Sequence, residues 1–391
     1  MEFGFGSEDE VFRGEARAWL RARLGGGDVD RREWERELGR GGWIGLGWGE
    51  DGYGNRRASL TQQVVWAEEY ARTKAPARSG HIGENLLAPT LIAHGTEEQK
   101  ARFLPPVARG EELWCQGYSE PGAGSDLAGV RTAAVHDRGT DTDSYRVTGQ
   151  KIWTSLAHEA DWCFVLARTQ PDSTRHHGLS FLLVPMDQPG RVEVRPIRQL
   201  TGTSEFNEVF FDGAVARAEH VVGGEGNGWR VAMSLLGYER GVSTLAQQIG
   251  FAQELGRVVE TAVANGAVAD PVVRDRLVHQ WAELRTMRWN ALRTLGSSGN
   301  GGQAGGAGAP SVAKLLWGGW HRRLGELAVL VRGAGAAVGP ADWSTAAPYE
   351  LDAFQHLFLF SRADTIYGGS DEIQRTIIAE RVLGLPREPK G

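Results

Sequence analysis

From Glu8 to Leu104 apolar residues recur at three- and four-residue spacing, the period of amphipathic helices. Val11, Phe12, Ala16, Trp19 and Leu20 start the pattern, and Trp34, Leu38 and Trp43 resume it after glycines at 25–27. Leu60–Arg72 continues it, and Thr96-Glu97-Glu98-Gln99 reads as a capping box ahead of Lys100-Ala101-Arg102-Phe103-Leu104. Near Leu113 the period shortens. Residues 145–149 alternate and end in a turn, 162–167 form a short apolar run, and 179–184, 192–197 and 208–211 add segments bounded by Gly, Pro or Asp. Strands this closely spaced, with no helix between them, predict an antiparallel β-barrel or sandwich. After Gly228 the helical period returns over 229–263, 271–296, 311–331, 351–366 and 370–383, the last closed by Gly384 and Pro386. Long helices joined by short links predict a bundle. Three units follow: a helical domain over 1–112, a strand domain over 113–226 and a helical bundle over 227–391.

Composition narrows the classes of function. A chain of 391 residues is too long for one simple core, and 41% hydrophobic with 24% charged residues is ordinary for a globular protein. A net charge of −6 gives no global attraction to nucleic acid or to an anionic membrane, so neither is an expected partner. An anionic ligand must be held by local features. Cys115 and Cys163 are too few for a disulfide framework and are expected as small buried hydrophobes in a reducing compartment. The first ten residues lack the basic-then-apolar run of a signal peptide, and no window approaches about 18 apolar residues, so a cytoplasmic location is expected. His158, His176, His177 and His356 show no metal-ligand spacing, and no metal is expected.

The densest chemical signal is Tyr118-Ser119-Glu120-Pro121-Gly122-Ala123-Gly124-Ser125-Asp126. It follows a strand-like segment and packs hydroxyls and glycines into one turn. Glycines let a backbone approach a ligand and expose its N–H groups, while Ser119 and Ser125 add donors; a flavin edge or a pyrophosphate would suit such a set. Judged on composition alone, a decorated turn would look the same. Gly224-x-Gly-x-Gly228 and Gly333-x-Gly335 lack the strand-turn-helix setting of a dinucleotide loop.

Residues 114–126 resemble the flavin-binding signature of the acyl-CoA dehydrogenase family. Further segments resembling that family follow in its order: 149–155 (Gly-Gln-Lys-Ile-Trp-Thr-Ser), 200–203 through 211–212, 222–223 through 228–229, 311–314, and 366–370 through 380–381. The resemblance spans about residues 8–386. It implies an N-terminal α-helical domain, a central antiparallel β-barrel and a C-terminal four-helix bundle. It also implies FAD, with Tyr118, Ser119, Gly124 and Ser125 of the loop, Trp153, Thr154 and Ser155, and Gly333, Ser370 and Glu372 on the cofactor. Ser119 and Ser155 would lie against the flavin with Trp153 beside the ring, and Ser125 near the pyrophosphate and the acyl carrier. Ser370 would N-cap the last helix.

The implied reaction is α,β-dehydrogenation of an acyl thioester, which needs a base for the α-proton, a sink for the β-hydride (flavin N5) and a donor to the carbonyl oxygen. Many family members place the base after the tyrosine of the last motif, a slot that here holds Gly368. The second family solution, as in isovaleryl and long-chain members, puts a glutamate early in the bundle just before an arginine. Glu239 and Arg240 match it, with Arg240 supporting the carboxylate or the substrate. A Glu-Arg pair taken alone reads as a helix-surface ion pair, and the vacancy at 368 favours the catalytic reading. The Gly368 N–H remains the expected donor to the thioester oxygen. Asp364 is expected in a structural hydrogen bond or ion pair.

The adenine half departs from the family pattern. Residues 265–269 carry neither the Arg nor the Phe of the family's Arg-x-x-Phe-Gly motif, and Leu330 stands where a Gln precedes the glycines, here Gly333-Ala334. The resemblance implies acyl-CoA or an acyl-carrier-protein thioester as substrate, electron-transfer flavoprotein as electron acceptor, and a homotetramer or dimer of dimers. The altered adenine site keeps a second reading open, a subunit of a heteromeric dehydrogenase with little activity alone. A flavin-dependent monooxygenase on the same fold is a third.

Overall fold

Side-chain caps fix the helix starts that the sequence marks. Ser59 accepts from the Gln62 N–H while Gln62 accepts from the Ser59 N–H, and Thr96 and Gln99 exchange the same pair of bonds. The computed structural model describes residues 5–24, 29–49, 52–73, 75–137, 143–238, 243–298, 308–339 and 350–387. They group into two compact units, Phe5–Arg198 with Ser204–Ser243, and Gln199–Thr203 with Thr244–Gly391.

The first unit begins with α1 (Ser7–Arg23), α2 (Arg31–Arg40), α3 (Leu60–Arg72), α4 (Ala88–His94) and α5 (Glu97–Ala108). Trp43 stacks on Trp66 at 4.2 Å in the core of α1–α3, with Trp19 and Trp34 around them. The strands are β1 (Trp114–Gly117), β2 (Ala133–Asp137), β3 (Ser144–Ser155), β4 (Trp162–Arg168), β5 (Leu179–Pro185), β6 (Val192–Ile197), β7 (Phe206–Arg217) and β8 (Val221–Val222), followed by α6 (Gly228–Tyr238).

The expected antiparallel barrel is corrected to one large mixed sheet of order β6-β7-β3-β2-β4-β5-β8, with β1 paired to β4 off that path. Two facts explain the difference. β1 runs parallel to β4 from Trp114↔Trp162 to Gly117↔Val165, and β2 meets the same strand in parallel at Ala133↔Arg168. At the ends of the path, β6 pairs only with β7, and the two-residue β8 only with β5, so among the described residues no ladder closes the sheet.

β4 and β5 read as largely apolar runs, interrupted in β5 by Ser180, because both of their faces are covered. Phe164, Leu166, Phe181 and Leu183 join the core with α4, α5 and α6, while Cys163, Val165, Leu182 and Val184 fill the opposite core. β3 and β7 are twelve residues each, longer than the alternating stretches that the sequence marks. The 149–155 motif therefore lies on a strand.

The second unit contains α7 (Ser243–Ala264), α8 (Pro271–Ser298), α9 (Ala309–Arg332), α10 (Ala353–Phe360) and α11 (Asp371–Ile377). Leu255, Val258, Leu277, Leu284, Trp320, Leu324, Ala328 and Leu357 form its core. Gly325 lets α10 approach α9, since a Cβ there would lie 2.6 Å from Ser361 Oγ. The helix expected over 351–366 stops at Phe360 with Ser361 as its C-cap, and Ala363–Thr365 forms a separate 3₁₀ turn. That break turns Asp364 inward, to 1% exposure. No helix among the described residues is long and apolar enough to cross a membrane.

Candidate active site

In the first unit, a buried ion pair joins two of the sequence motifs. Lys151, fully buried on β3, donates to Tyr118 O (3.0 Å), Glu120 Oε1 (2.8 Å) and Leu166 O (2.8 Å), which uses all three ammonium protons. Glu120 also accepts from the backbone N–H groups of Arg131 (2.7 Å) and Thr132 (2.8 Å). Burial would lift the Glu120 carboxyl, but the Lys151 charge and these bonds outweigh it and hold it below the ordinary carboxylate range. Glu120 and Ala123 close the turn by exchanging backbone bonds of 3.1 and 3.0 Å. The Ile152 N–H donates to Ser119 O (2.9 Å), which ties the 118–126 loop directly to the second motif.

That second motif contains a β-bulge. Lys151 faces Val209 and Thr154 faces Asn207, so β3 uses three steps where β7 uses two. The extra residue falls at Ile152-Trp153, and Trp153 sits at φ 60°, a region that costs a non-glycine residue about 1–3 kcal/mol. The strain re-aims the indole outward. Trp153 is 56% exposed, touching Phe206 edge-on at 6.3 Å. Beside it Thr154 is fully buried, and its Oγ1 has no hydrogen-bond partner among the described residues. Ser119 and Ser155 are half-buried and Ser125 is exposed; a Cβ at Gly122 or Gly124 would meet nothing within 4 Å.

An exposed aromatic plane, an unsatisfied buried hydroxyl, two half-buried serines and an open glycine turn make a set that suits a planar heteroaromatic ring with polar edges. The residues therefore fit the flavin that the resemblance implies.

In the second unit the polar residues gather on Tyr367-Gly368-Gly369-Ser370. Tyr367 OH donates to Asp364 Oδ1 (2.6 Å), and Lys314 donates to Asp364 O. His321 Nδ1 lies 2.5 Å from Asp364 Oδ2, and its Nε2 lies 2.8 Å from Glu254 Oε2. Burial would lower the imidazole pKa, but the hydrogen bonds to Asp364 and Glu254 outweigh it and raise it to about 9. Gly368 and Gly369 sit at φ 63° and 83°, and Gln374 Nε2 donates to both of their carbonyls at 3.1 Å. Ser370 caps α11 by accepting from the Ile373 N–H (3.4 Å), and Glu372 is exposed in its first turn. Gly333 ends α9 at φ 56°, with Leu330 45% exposed one turn earlier.

Glu239 and Arg240, on which the expected base rests, lie outside the described residues; α6 is described as far as Tyr238. The Lys151–Glu120 brace and the His321 network escape a reading of motifs. For the second a signal exists: Ser311, Lys314, Gly318, His321 and Gly325 put polar or small residues at three- and four-residue steps on the buried face of a bundle helix. Asp364 is in the ion pair expected of it.

Comparison with known proteins identifies the class. The description "Acyl-CoA dehydrogenase, N-terminal domain" matches residues 7–111, "middle domain" residues 115–214 and "C-terminal domain" residues 226–383. The chain belongs to the acyl-CoA dehydrogenase family, flavin-dependent oxidoreductases that act on CH–CH bonds and usually carry FAD. It is 52% identical over 398 aligned residues to acyl-CoA dehydrogenase IpdE1 of Mycobacterium tuberculosis, covering 98% of this chain and 99% of that protein. Among solved structures it resembles the Tcur3481-Tcur3483 steroid ACAD, with TM-score 0.84 and 29% identity over 99% of this chain and 100% of the other. It also resembles the ChsE4-ChsE5 complex of Mycobacterium tuberculosis, with TM-score 0.81 and 31% identity over 99% and 100%.

Proposed function

We propose that the chain carries out FAD-dependent α,β-dehydrogenation of an acyl-CoA, with Glu239 as the base. The observation that carries the cofactor half of this reading is the bulge at Trp153 beside the unsatisfied Thr154 hydroxyl, tied to the 118–126 loop through Ser119. Tyr118, Ser119, Gly124, Ser125, Trp153, Thr154, Ser155, Gly333, Ser370 and Glu372 are the residues that would hold the cofactor. When bound, the flavin supplies the electron sink that takes a hydride from Cβ. Glu239 takes the α-proton onto its carboxylate, and Arg240 supports that carboxylate or the substrate. The Gly368 N–H donates to the thioester carbonyl oxygen, a role for which a backbone group suffices. Electrons would leave to an electron-transfer flavoprotein, as is usual in the family.

A specific observation favours a hetero-oligomer over the homotetramer first expected. Asn265 spends its side-chain amide on Val331 O (2.9 Å), and Leu330 presents an apolar side chain where the family uses Gln. Neither replaces the family's polar contacts to an adenine half. Both structural relatives named above carry the names of two proteins, and one is named for a steroid. We therefore propose a related partner chain that completes the FAD site, and a bulky steroid-derived acyl-CoA as substrate.

The test is Glu239→Gln, assayed with a panel of acyl-CoAs and an artificial acceptor. Activity should fall by at least about 10³-fold; activity within a few-fold of wild type would sink the assignment. Purification separates the assemblies, because a chain that retains FAD and bleaches with acyl-CoA alone excludes the requirement for a partner.

A further inference from the structure

The buried face of α9 is polar at the point where a bundle helix is normally apolar, and His321 is its centre. The His321 side chain is 8% exposed, and each ring nitrogen is within hydrogen-bond distance of a different carboxylate, Asp364 and Glu254. Two carboxylate acceptors are both satisfied only by a ring that carries both protons. Asp364 passes the constraint on: its second oxygen accepts from Tyr367 OH at 2.6 Å. On the other side, Gln374 holds the carbonyls of Gly368 and Gly369. The Gly368 peptide is thus fixed from its N-terminal side through Tyr367 and from its C-terminal side by Gln374.

We propose that His321 is a positioning residue that acts through Asp364 and Tyr367 on the Gly368 N–H, and that its network sets the upper pH limit of turnover. The inference rests on the reading that the Gly368 N–H serves the thioester oxygen. Among the described residues, the groups facing His321 are Glu254 from α7, Asp364 and Tyr367 from the segment after α10, and Lys314 from its own helix, which donates to Asp364 O. The ring otherwise faces Phe251 (4.3 Å) and Trp320 (6.3 Å), whose Nε1 donates to the Gln280 carbonyl of α8. Loss of the His321 proton removes one carboxylate bond and leaves Asp364, at 1% side-chain exposure, with Lys314 on its backbone oxygen but, among the described residues, no cation on its carboxylate. The anchor of Tyr367 then loosens.

The sign is fixed by the direction of the shift. The folded group binds its proton up to about 9, so the positioning is present well below that pH and is lost as pH rises through about 9. The experiment compares kcat and KM of the flavin-loaded enzyme with its best acyl-CoA, from about pH 6 to 10.5, for wild type and His321→Gln. Wild-type kcat should fall along a one-proton limb near pH 9 with KM nearly constant. The variant should show a plateau lower by about 10-fold, from the lost charge-assisted bond, and no such limb. An identical limb in both proteins, or a plateau within about twofold of wild type, overturns the proposal.

Histidine NMR of the wild type provides a readout that needs no turnover and no variant that folds. His321 should titrate with a midpoint of about 9; a midpoint at or below 6.5 overturns the network. Failure of every acyl-CoA to bleach the flavin, with the midpoint as expected, removes the dehydrogenase reading and with it the link to Gly368.

Discussion

Lys151→Met tests the brace between the two motifs that would hold the flavin. The substitution keeps an unbranched side chain of similar length but removes the charge that neutralises Glu120 and the donors to Tyr118 O and Leu166 O. Lys151 is fully buried and Glu120 is 9% exposed, so water cannot replace what is lost. Breaking one partner of such a pair costs about 3–5 kcal/mol, because the remaining charge stays buried without compensation. The two N–H bonds from Arg131 and Thr132 persist and place the expectation in the lower half of that range, about 3–4 kcal/mol. Urea unfolding of the flavin-free protein measures it as a shift in midpoint at constant slope. Lys151→Met with Glu120→Gln removes both charges and should recover at least about 1 kcal/mol relative to the single variant. A loss below about 1 kcal/mol in the single variant, the value of an exposed pair, or a double variant no more stable than the single one, would refute the buried brace. The linkage runs in one direction: Glu120 titrates below its ordinary range in the folded state, so its contribution is present above the ordinary carboxylate pKa and is lost as pH falls through the lowered value.

Trp153→Gly should leave flavin-free stability within about 1 kcal/mol, since relief of the positive φ offsets the greater freedom of the unfolded chain. The same variant should retain flavin at least about 10-fold more weakly, measured by fluorescence titration; unchanged retention would remove Trp153 from the cofactor set. Gly110→Ala should destabilise by roughly 2–5 kcal/mol, since Gly110 sits at φ 65° and a Cβ there would lie 2.2 Å from Glu35 O on α2. A thermal shift of only a degree or two would contradict it. Wild-type melting temperature should fall between about pH 6.5 and 9.5 more steeply than that of His321→Gln, because the raised His321 pKa, about 9, withdraws its stabilisation over that interval. Parallel curves would show that the network adds nothing to the fold.

Local physics alone determines much of this protein. The helical N-terminal stretch, the strand region and the helical C-terminal stretch are legible because burial imposes periods of 3.6 and 2 on the chain. The caps at Thr96 and Ser370 are legible because a hydroxyl at a helix start binds a backbone N–H within the same few residues. The motifs around Ser119 and Trp153 are legible as residue types, and the vacancy at Gly368 is legible only through the family resemblance. Tertiary structure decides the rest, because it depends on partners distant in sequence. A strand pattern records which face is buried, not which strands pair, so the barrel expectation gave way to a mixed sheet once β1 and β2 were seen to run parallel to β4. The outward Trp153 depends on a register shift against β7, and the partners of Lys151 lie 15 to 33 residues away. Most of all, a histidine on the buried face of a bundle helix does not name its partners. Only the fold brings Glu254, 67 residues away, and Asp364, 43 residues away, to the two sides of His321, where their charges decide its protonation.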